Sequence, residues 1–249
     1  MLYIVATPIG NLEDISLRAI RILGEVDFIL CEDTRVTKNL LDRYDIKTPM
    51  MSYHQHSEDS RAKEILKLLE NGKILALVTD AGTPGISDPG GKLVQRIIEA
   101  ENESEEPDPR YKIESIPGAS AVTAALSISG LPTDRFIFLG FPPHKKGRQT
   151  FIKTIIESEW PVVVYESKHR IVKFLEELKE ISKQEPIQSG KLRYKEKIKP
   201  RKELTSIVVC RELTKMHETI YRGDLDNIIK KIEVDPNAQR GEFVVIIGK

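Results

Sequence analysis

The chain has 249 residues, 40% of them hydrophobic, with 38 acidic and 38 Lys or Arg side chains, so its formal net charge is zero. That length and apolar fraction suit one or two globular domains with a real core, and the charge balance argues against a protein that coats nucleic acid with its whole surface. No apolar run approaches the roughly 18–20 residues of a membrane span. No basic region precedes the apolar start Met1-Leu2-Tyr3-Ile4-Val5-Ala6, so this segment reads as a first buried strand rather than a secretory leader, and the protein is expected in the cytoplasm.

Short apolar runs at Leu2 to Ala6, Asp27 to Cys31, Ile74 to Val78 and Lys112 to Ile116 read as strands buried on both faces, as in a parallel sheet. Helical spacing fills the gaps. Ile15 to Leu23 carries Ile20 and Leu23 near one face, with Asp14 as its expected cap, and Ser57 is the expected cap of a helix whose Ile65, Leu66 and Leu69 share a face. From Pro117-Gly118 the pattern changes. A small-residue helix, Ala119 to Ser129, is followed by strands at Phe136 to Gly140, Pro161 to Tyr165, Ser206 to Cys210, Thr219 to Arg222 and Phe243 to Ile247. Helices at Ile171 to Ile181 and Leu225 to Ile232 lie between them. The reading is two α/β domains, residues 1–116 and 117–249, the second with a mixed sheet. Cys31 and Cys210 each follow an apolar run, so both read as small buried hydrophobes. An acidic stretch, Glu99 to Asp108, reads as a solvated loop. A basic stretch, Lys191 to Lys202, is either the same or a phosphate contact.

Several familiar site patterns are missing. There is no GxGxxG after a strand, no GxxxxGK[ST] and no GxSxG. His54 and His56 could face one way and share a metal, but with no further His or Cys nearby they read as hydrogen-bonding or substrate-facing groups, and no metal is expected. Three loops stand out instead. Thr7-Pro8-Ile9-Gly10-Asn11 follows the first strand, where α/β proteins bind ligands. The stretch from Thr79 to Gly91 holds four glycines and two prolines, its Asp80 and Asp88 supply acceptors, and loops of such length are usually functional. Pro117 to Ala125 opens a helix almost without side-chain bulk, which serves close helix packing or a ligand equally. Residue types alone therefore point to an α/β enzyme that binds a small molecule in a cleft.

The strings Val5 to Ile15, Cys31-Glu32-Asp33-Thr34-Arg35, Ser52-Tyr53-His54-Gln55-His56 and Asp80 to Gly90 closely resemble the 16S rRNA cytidine 2′-O-methyltransferases of the tetrapyrrole-methylase superfamily. The likeness continues through Pro117 to Ala121, Gly140-Phe141-Pro142-Pro143, Tyr165 to Arg170, Arg211 to Lys215 and Gly241 to Val245, so it spans nearly the whole chain. It departs at the two charged stretches, which look like extensions, and after His56, where the family's Asn-Glu is Ser57-Glu58.

The resemblance implies a homodimer of tetrapyrrole-methylase-type α/β domains with S-adenosylmethionine in a cleft between them, acting on 16S rRNA of the small ribosomal subunit. It implies cofactor contacts from Asp80, Ala81, Gly82, Thr83, Ser120 and Ala121, with Tyr165 and Glu166 closing over the site. Pro8, Gly10 and Asn11 would face the substrate side. His54, Arg35, His169 and Arg211 would add substrate contacts, the cations at phosphates. Glu32 and Asp33 are the candidate base or hydroxyl-orienting groups, with Lys168 and Lys215 as cationic alternatives; for Glu32 and Asp33, helix capping and an ion pair with Arg35 explain the same residues. Three other readings stay open: a superfamily enzyme acting on a tetrapyrrole or protein, a binding module that kept the cofactor pocket, and a structural ribosome-assembly factor. The Thr7-Pro8-Ile9-Gly10-Asn11 string argues against the first, and cofactor binding discriminates the last.

Overall fold

A computed structural model describes residues 1–54, 58–103, 106–183, 204, 206–235 and 237–248. His56, Ser57, Glu105 and the whole basic stretch 191–202 lie outside those residues. The chain divides into two compact units, Met1–Ala121 and Val122–Lys249, and the division falls at the start of a helix. Among the described residues no helix is long and apolar enough to cross a membrane.

The first unit alternates strand and helix: β1 (Leu2–Val5), α1 (Leu17–Glu25), β2 (Phe28–Cys31), α2 (Thr34–Arg43), β3 (Met50–Ser52), α3 (Glu58–Glu70), β4 (Leu75–Leu77), α4 (Gly90–Asn102) and β5 (Ile113–Ile116). All five strands are parallel, in the order β3-β2-β4-β1-β5. The strand pleat explains why the runs are apolar throughout. Ile29, Cys31, Ala76 and Val78 face α1 and α2, where Leu23 and Leu40 meet them. Leu30, Leu75 and Leu77 face α3 and α4, where Ile65, Leu69, Leu93 and Ile97 meet them. Each such leucine or isoleucine, once fully buried, contributes about 1.5–3 kcal/mol.

Capping differs from expectation in one place. Ser16, not Asp14, caps α1, accepting a hydrogen bond from the Ala19 amide. Asp14 instead ends a short 3-10 turn, Leu12–Asp14, which Asn11 caps through the Glu13 amide. Strand β3 has no clear sequence signal, being three residues long with two methionines.

The second unit holds α5 (Ala121–Ser129, which begins on the last residue of the first unit), β6 (Ile137–Phe138), α6 (Arg148–Glu157), β7 (Val162–Ser167), α7 (Ile171–Lys183), β8 (Ile207–Arg211), β9 (Thr219–Gly223), α8 (Leu225–Val234) and β10 (Glu242–Ile247). Its sheet runs β6-β7-β10-β8-β9; only β6 and β7 are parallel. The mixed sheet expected from sequence is therefore present. Ile155, Phe174, Leu178, Ile228 and Ile232 from the three later helices pack on Val162, Val164, Val209 and Val245. Both cysteines are free and buried, and burial pushes the Cys210 thiol up to about 11.

Candidate cofactor and active site

Because the five strands of the first unit are parallel, every loop that leaves a carboxyl end emerges on one edge of its sheet. That edge collects Pro8 to Asn11 after β1, Glu32 and Asp33 after β2, His54 after β3, the Asp80 loop after β4 and Pro117 to Ser120 after β5. The chain leaves β2 towards β3 and leaves β4 in the opposite direction, towards β5 beyond β1. A crevice is expected where such connections diverge, and one is lined there by Thr7, Pro8, Val36, Thr37 and Asp80.

Three of these loops are stitched together. Thr7 and Gly82 exchange backbone hydrogen bonds of 2.9 and 3.1 Å as an isolated antiparallel bridge. The buried Thr7 hydroxyl donates to the Thr79 carbonyl at 3.0 Å, and the Thr83 hydroxyl donates to the Ala119 carbonyl at 3.2 Å. Gly82 lies in the left-handed region at φ +86°, where L side chains are strained. Gly118 is required for a different reason: a Cβ there would sit 3.0 Å from the Ala6 Cβ. Asp88 closes the far end of the loop by accepting from the Gly85 and Gly90 amides at 2.8 and 2.7 Å. The residue pattern offers Asp88 as a ligand acceptor and gives Thr7 no role of its own, whereas both fasten loops. The available signals are the place of Thr7 directly before the Pro8 turn and of Asp88 among glycines.

The carboxylates on this edge are not equivalent. Asp33 caps α2 and pairs with Arg35 at 2.6 Å; its hydrogen bonds to the Arg35 side chain and amide hold its pKa at about 2. The capping and ion-pair alternative is thus realised for Asp33. Glu32, itself exposed, goes the other way: desolvation first, then Asp80, Asp88 and Asp33 around it, raise its pKa, and His54 partly offsets this. The Asp33 amide also donates to the Asp80 carboxylate at 3.2 Å. Two adjacent carboxyl groups are thus pushed apart, Glu32 towards easier protonation and Asp33 towards a fixed anion. Ala81 is exposed and Ser120 and Ala121 are half-buried. Asn11 is exposed, as is Gly10, while Pro8 is buried in the wall of the crevice.

The second-unit candidates separate into exposed and committed groups. Lys168 and His169 are exposed after β7. Tyr165 is half-buried, its hydroxyl against the Val122 amide, and burial raises its pKa. Glu166 is buried between Arg170, at 2.9 Å, and Arg148, at 3.8 Å, so its carboxylate serves the fold and only its backbone remains for a ligand. Lys215 bonds Glu212 at 3.0 Å and Glu242 at 2.9 Å. Burial works to lower its pKa, but those two partners outweigh it and hold the ammonium charged above the ordinary lysine range. Lys215 is therefore a fixed cation rather than a base. It sits beside Glu212 and Thr214, both at positive φ (52° and 64°), a conformation costing about 1–3 kcal/mol per residue.

Arg211 needs a correction. It is buried and donates from Nε to the Arg240 carbonyl at 2.6 Å, from Nη1 to His217 at 3.0 Å and from Nη2 to Asn237 at 2.7 Å. A buried guanidinium that already donates to three carbonyls holds loops together and is poorly placed to meet a phosphate. Arg211→Met should lower unfolding free energy by about 3–5 kcal/mol, because the carbonyls lose a charged donor. Urea unfolding checks this; a midpoint unchanged from the parent would return Arg211 to the substrate.

Ala81, Gly82, Ala119 and Ser120 offer a stretch with little side-chain bulk, and Glu32 and Asp80 place carboxylates on the same edge, a combination that a small cationic ligand fits. Known proteins resemble the whole chain. The profile of the tetrapyrrole (corrin/porphyrin) methylases matches residues 1–229. A Synechocystis protein named ribosomal RNA small subunit methyltransferase I is 42% identical over 249 residues, covering 100% of this chain and 78% of its own. The protein of the same name from Thermotoga maritima is 39% identical over 99% of this chain and 97% of its own. The crystal structure of a cobalt precorrin-4 methyltransferase superposes with a TM-score of 0.62 at 18% identity, covering 99% of this chain and 94% of that one, which extends the likeness to the fold. The chain is a member of the tetrapyrrole methylase family.

Proposed function

We propose that the chain transfers a methyl group from S-adenosylmethionine to the 2′-hydroxyl of a cytidine ribose in the decoding region of 16S rRNA, working in the cytoplasm as a homodimer on assembled or partly assembled small subunits. Methyl transfer to small-subunit rRNA is supported by the family and by the name its relatives carry over the full chain. The observation that carries the local reading is the carboxyl edge of the first sheet, where the Gly82 loop, bridged to Thr7, and Glu32, with Asp80 near it, both emerge.

When bound, S-adenosylmethionine supplies an electrophilic methyl on a sulfonium cation. Asp80, Ala81, Gly82 and Thr83, with Ser120 and Ala121, would hold it, and the nearby carboxylates favour its positive charge. By the resemblance, Tyr165 and the backbone of Glu166 would also contact the cofactor. Pro8, Gly10 and Asn11 would border the ribose, with Asn11 also keeping the 3-10 turn closed. Glu32 would orient the ribose hydroxyl and accept its proton; Asp33 would stay ionised and anchor Arg35 for a phosphate. His54 and His169 would line the approach, and Lys168 would meet the backbone. Orientation supplies most of the rate in such a displacement, about 7–11 kcal/mol.

The substrate form follows from what the chain has little of. Aromatics make up 6% of it, and its net charge is zero, so neither stacking nor bulk charge gives strong grip on a free oligonucleotide. Selectivity would come from a folded target gripped by two subunits. Labelled cofactor should methylate small subunits far better than naked 16S rRNA or a short stem-loop, and a chelator should change nothing. Equal labelling of the stem-loop would overturn the assembled target; no labelling of any rRNA would overturn the substrate class.

A further inference from the structure

Strands β6 and β7 are parallel neighbours, so the loops leaving their carboxyl ends, 139–147 and 168–170, lie side by side. Arg170 ties them by donating from Nη1 to the Pro142 carbonyl at 3.1 Å while pairing with Glu166. Arg148 fixes the next residue, donating to the Pro143 carbonyl at 3.1 Å while its Nε pairs with Glu177 at 2.6 Å. Both guanidinium groups point inward, and the Glu166 side chain between them is fully buried. The loop is thus pinned at both prolines, by a buried Arg148 and a half-buried Arg170.

What this loop holds outward is an aromatic ring. Phe141 is 51% exposed and rests on Tyr165 with centroids 5.4 Å apart; Tyr165 in turn meets Phe138 edge-on at 4.9 Å. Lys145 and Lys146 follow on the same loop and Lys168 stands on the adjoining one, all exposed. Among the described residues none of these three lysines has an ion-pair partner. An unburied aromatic face on a rigid mount, flanked by uncompensated ammonium groups, is the combination that takes a single-stranded nucleic acid. A base stacks on the ring and neighbouring phosphates release counterions at the lysines.

We infer that Phe141, Lys145 and Lys146 form a docking surface for a single-stranded stretch of RNA, one base lying on Phe141 and the flanking phosphates on the two lysines. The inference rests on rRNA being the substrate. Arg148 and Arg170 act as positioning residues for the loop and do not touch the RNA.

The test measures binding of the full-length protein to small ribosomal subunits across a salt series, with methyl transfer followed in parallel. Lys145→Gln with Lys146→Gln should reduce the slope of log affinity against log salt by about 1.4, which is about 0.7 for each single-strand phosphate that a lysine neutralises. Phe141→Ala should weaken binding about tenfold and Phe141→Trp should restore it, since tryptophan keeps a stacking face. Restoration also excludes misfolding as the cause of the alanine effect. If the parent protein labels rRNA but the lysine variant keeps both its affinity and its salt slope, the docking surface is wrong and the methylation reading stands. If the parent labels no rRNA, the methylation reading fails first and the surface falls with it.

Discussion

Glu32→Gln is expected to lower the turnover of methyl transfer by about 10²–10⁴-fold, the usual worth of a positioned proton acceptor, with cofactor affinity nearly unchanged. Glutamine keeps the size and a hydrogen-bonding oxygen but cannot take the proton of a ribose hydroxyl. The environment sets the pH signature. Desolvation, then Asp80, Asp88 and Asp33, disfavour the ionised form of Glu32, so its pKa lies above the ordinary glutamate range. Below that pKa the carboxyl is protonated and cannot accept; turnover should therefore rise with pH through it, and the variant should lose this acid limb. Asp33→Asn makes the contrast. Asp33 stays ionised down to about 2 and caps α2, so its replacement should act on stability and on Arg35 without moving the acid limb. A Glu32→Gln enzyme with parental turnover and the parental pH profile would remove Glu32 from the chemistry.

Gly82→Val is expected to weaken S-adenosylmethionine binding by on the order of 100-fold or more while the first unit stays folded. The backbone at φ +86° is strained for any β-branched residue, at about 1–3 kcal/mol. The new Cβ would lie 3.4 Å from the Ile9 Cγ2 and 3.7 Å from the Ala119 carbonyl, an ordinary contact by itself, so sterics alone do not unfold the loop. Relief of the strain would instead shift residue 82 and break its bridge to Thr7, which aligns the loops after β1 and β4. Calorimetry with the cofactor reads the weakening directly, and circular dichroism reports the fold. Cofactor affinity equal to the parent would place the cofactor site elsewhere.

How far the sequence leads differs between the scaffold and the charges. The parallel half was legible because β2 and β4 are apolar at every position, and only a sheet covered on both faces requires that. The backbone of the loops after the strands was legible as well, since glycine and proline there report on geometry, and Gly82 does take the left-handed conformation. Strand β3 was not, because three residues carry no period. Charged residues were the least legible, because their partners lie far along the chain. Arg211 reaches the Arg240 carbonyl across 29 positions, and Lys215 reaches Glu242 across 27. Residue types along the chain show that a charge is present, but not that a group so distant in sequence already satisfies it. The same limit applies to Glu166, whose partner Arg148 belongs to α6. Glu32 and Asp33 look interchangeable as adjacent letters; only the neighbours each one meets in the fold separate an easily protonated carboxyl from a permanently ionised one.

The most direct test of methyl transfer to a ribose is the chemical identity of the product. Small subunits without the modification are incubated with the protein and isotopically labelled S-adenosylmethionine, and the 16S rRNA is then digested to nucleosides and analysed by mass spectrometry. The expected product is one labelled nucleoside, a cytidine whose added methyl is on the sugar fragment and not on the base. Label on the base, or label absent from rRNA while the cofactor is bound, would contradict transfer to a ribose hydroxyl.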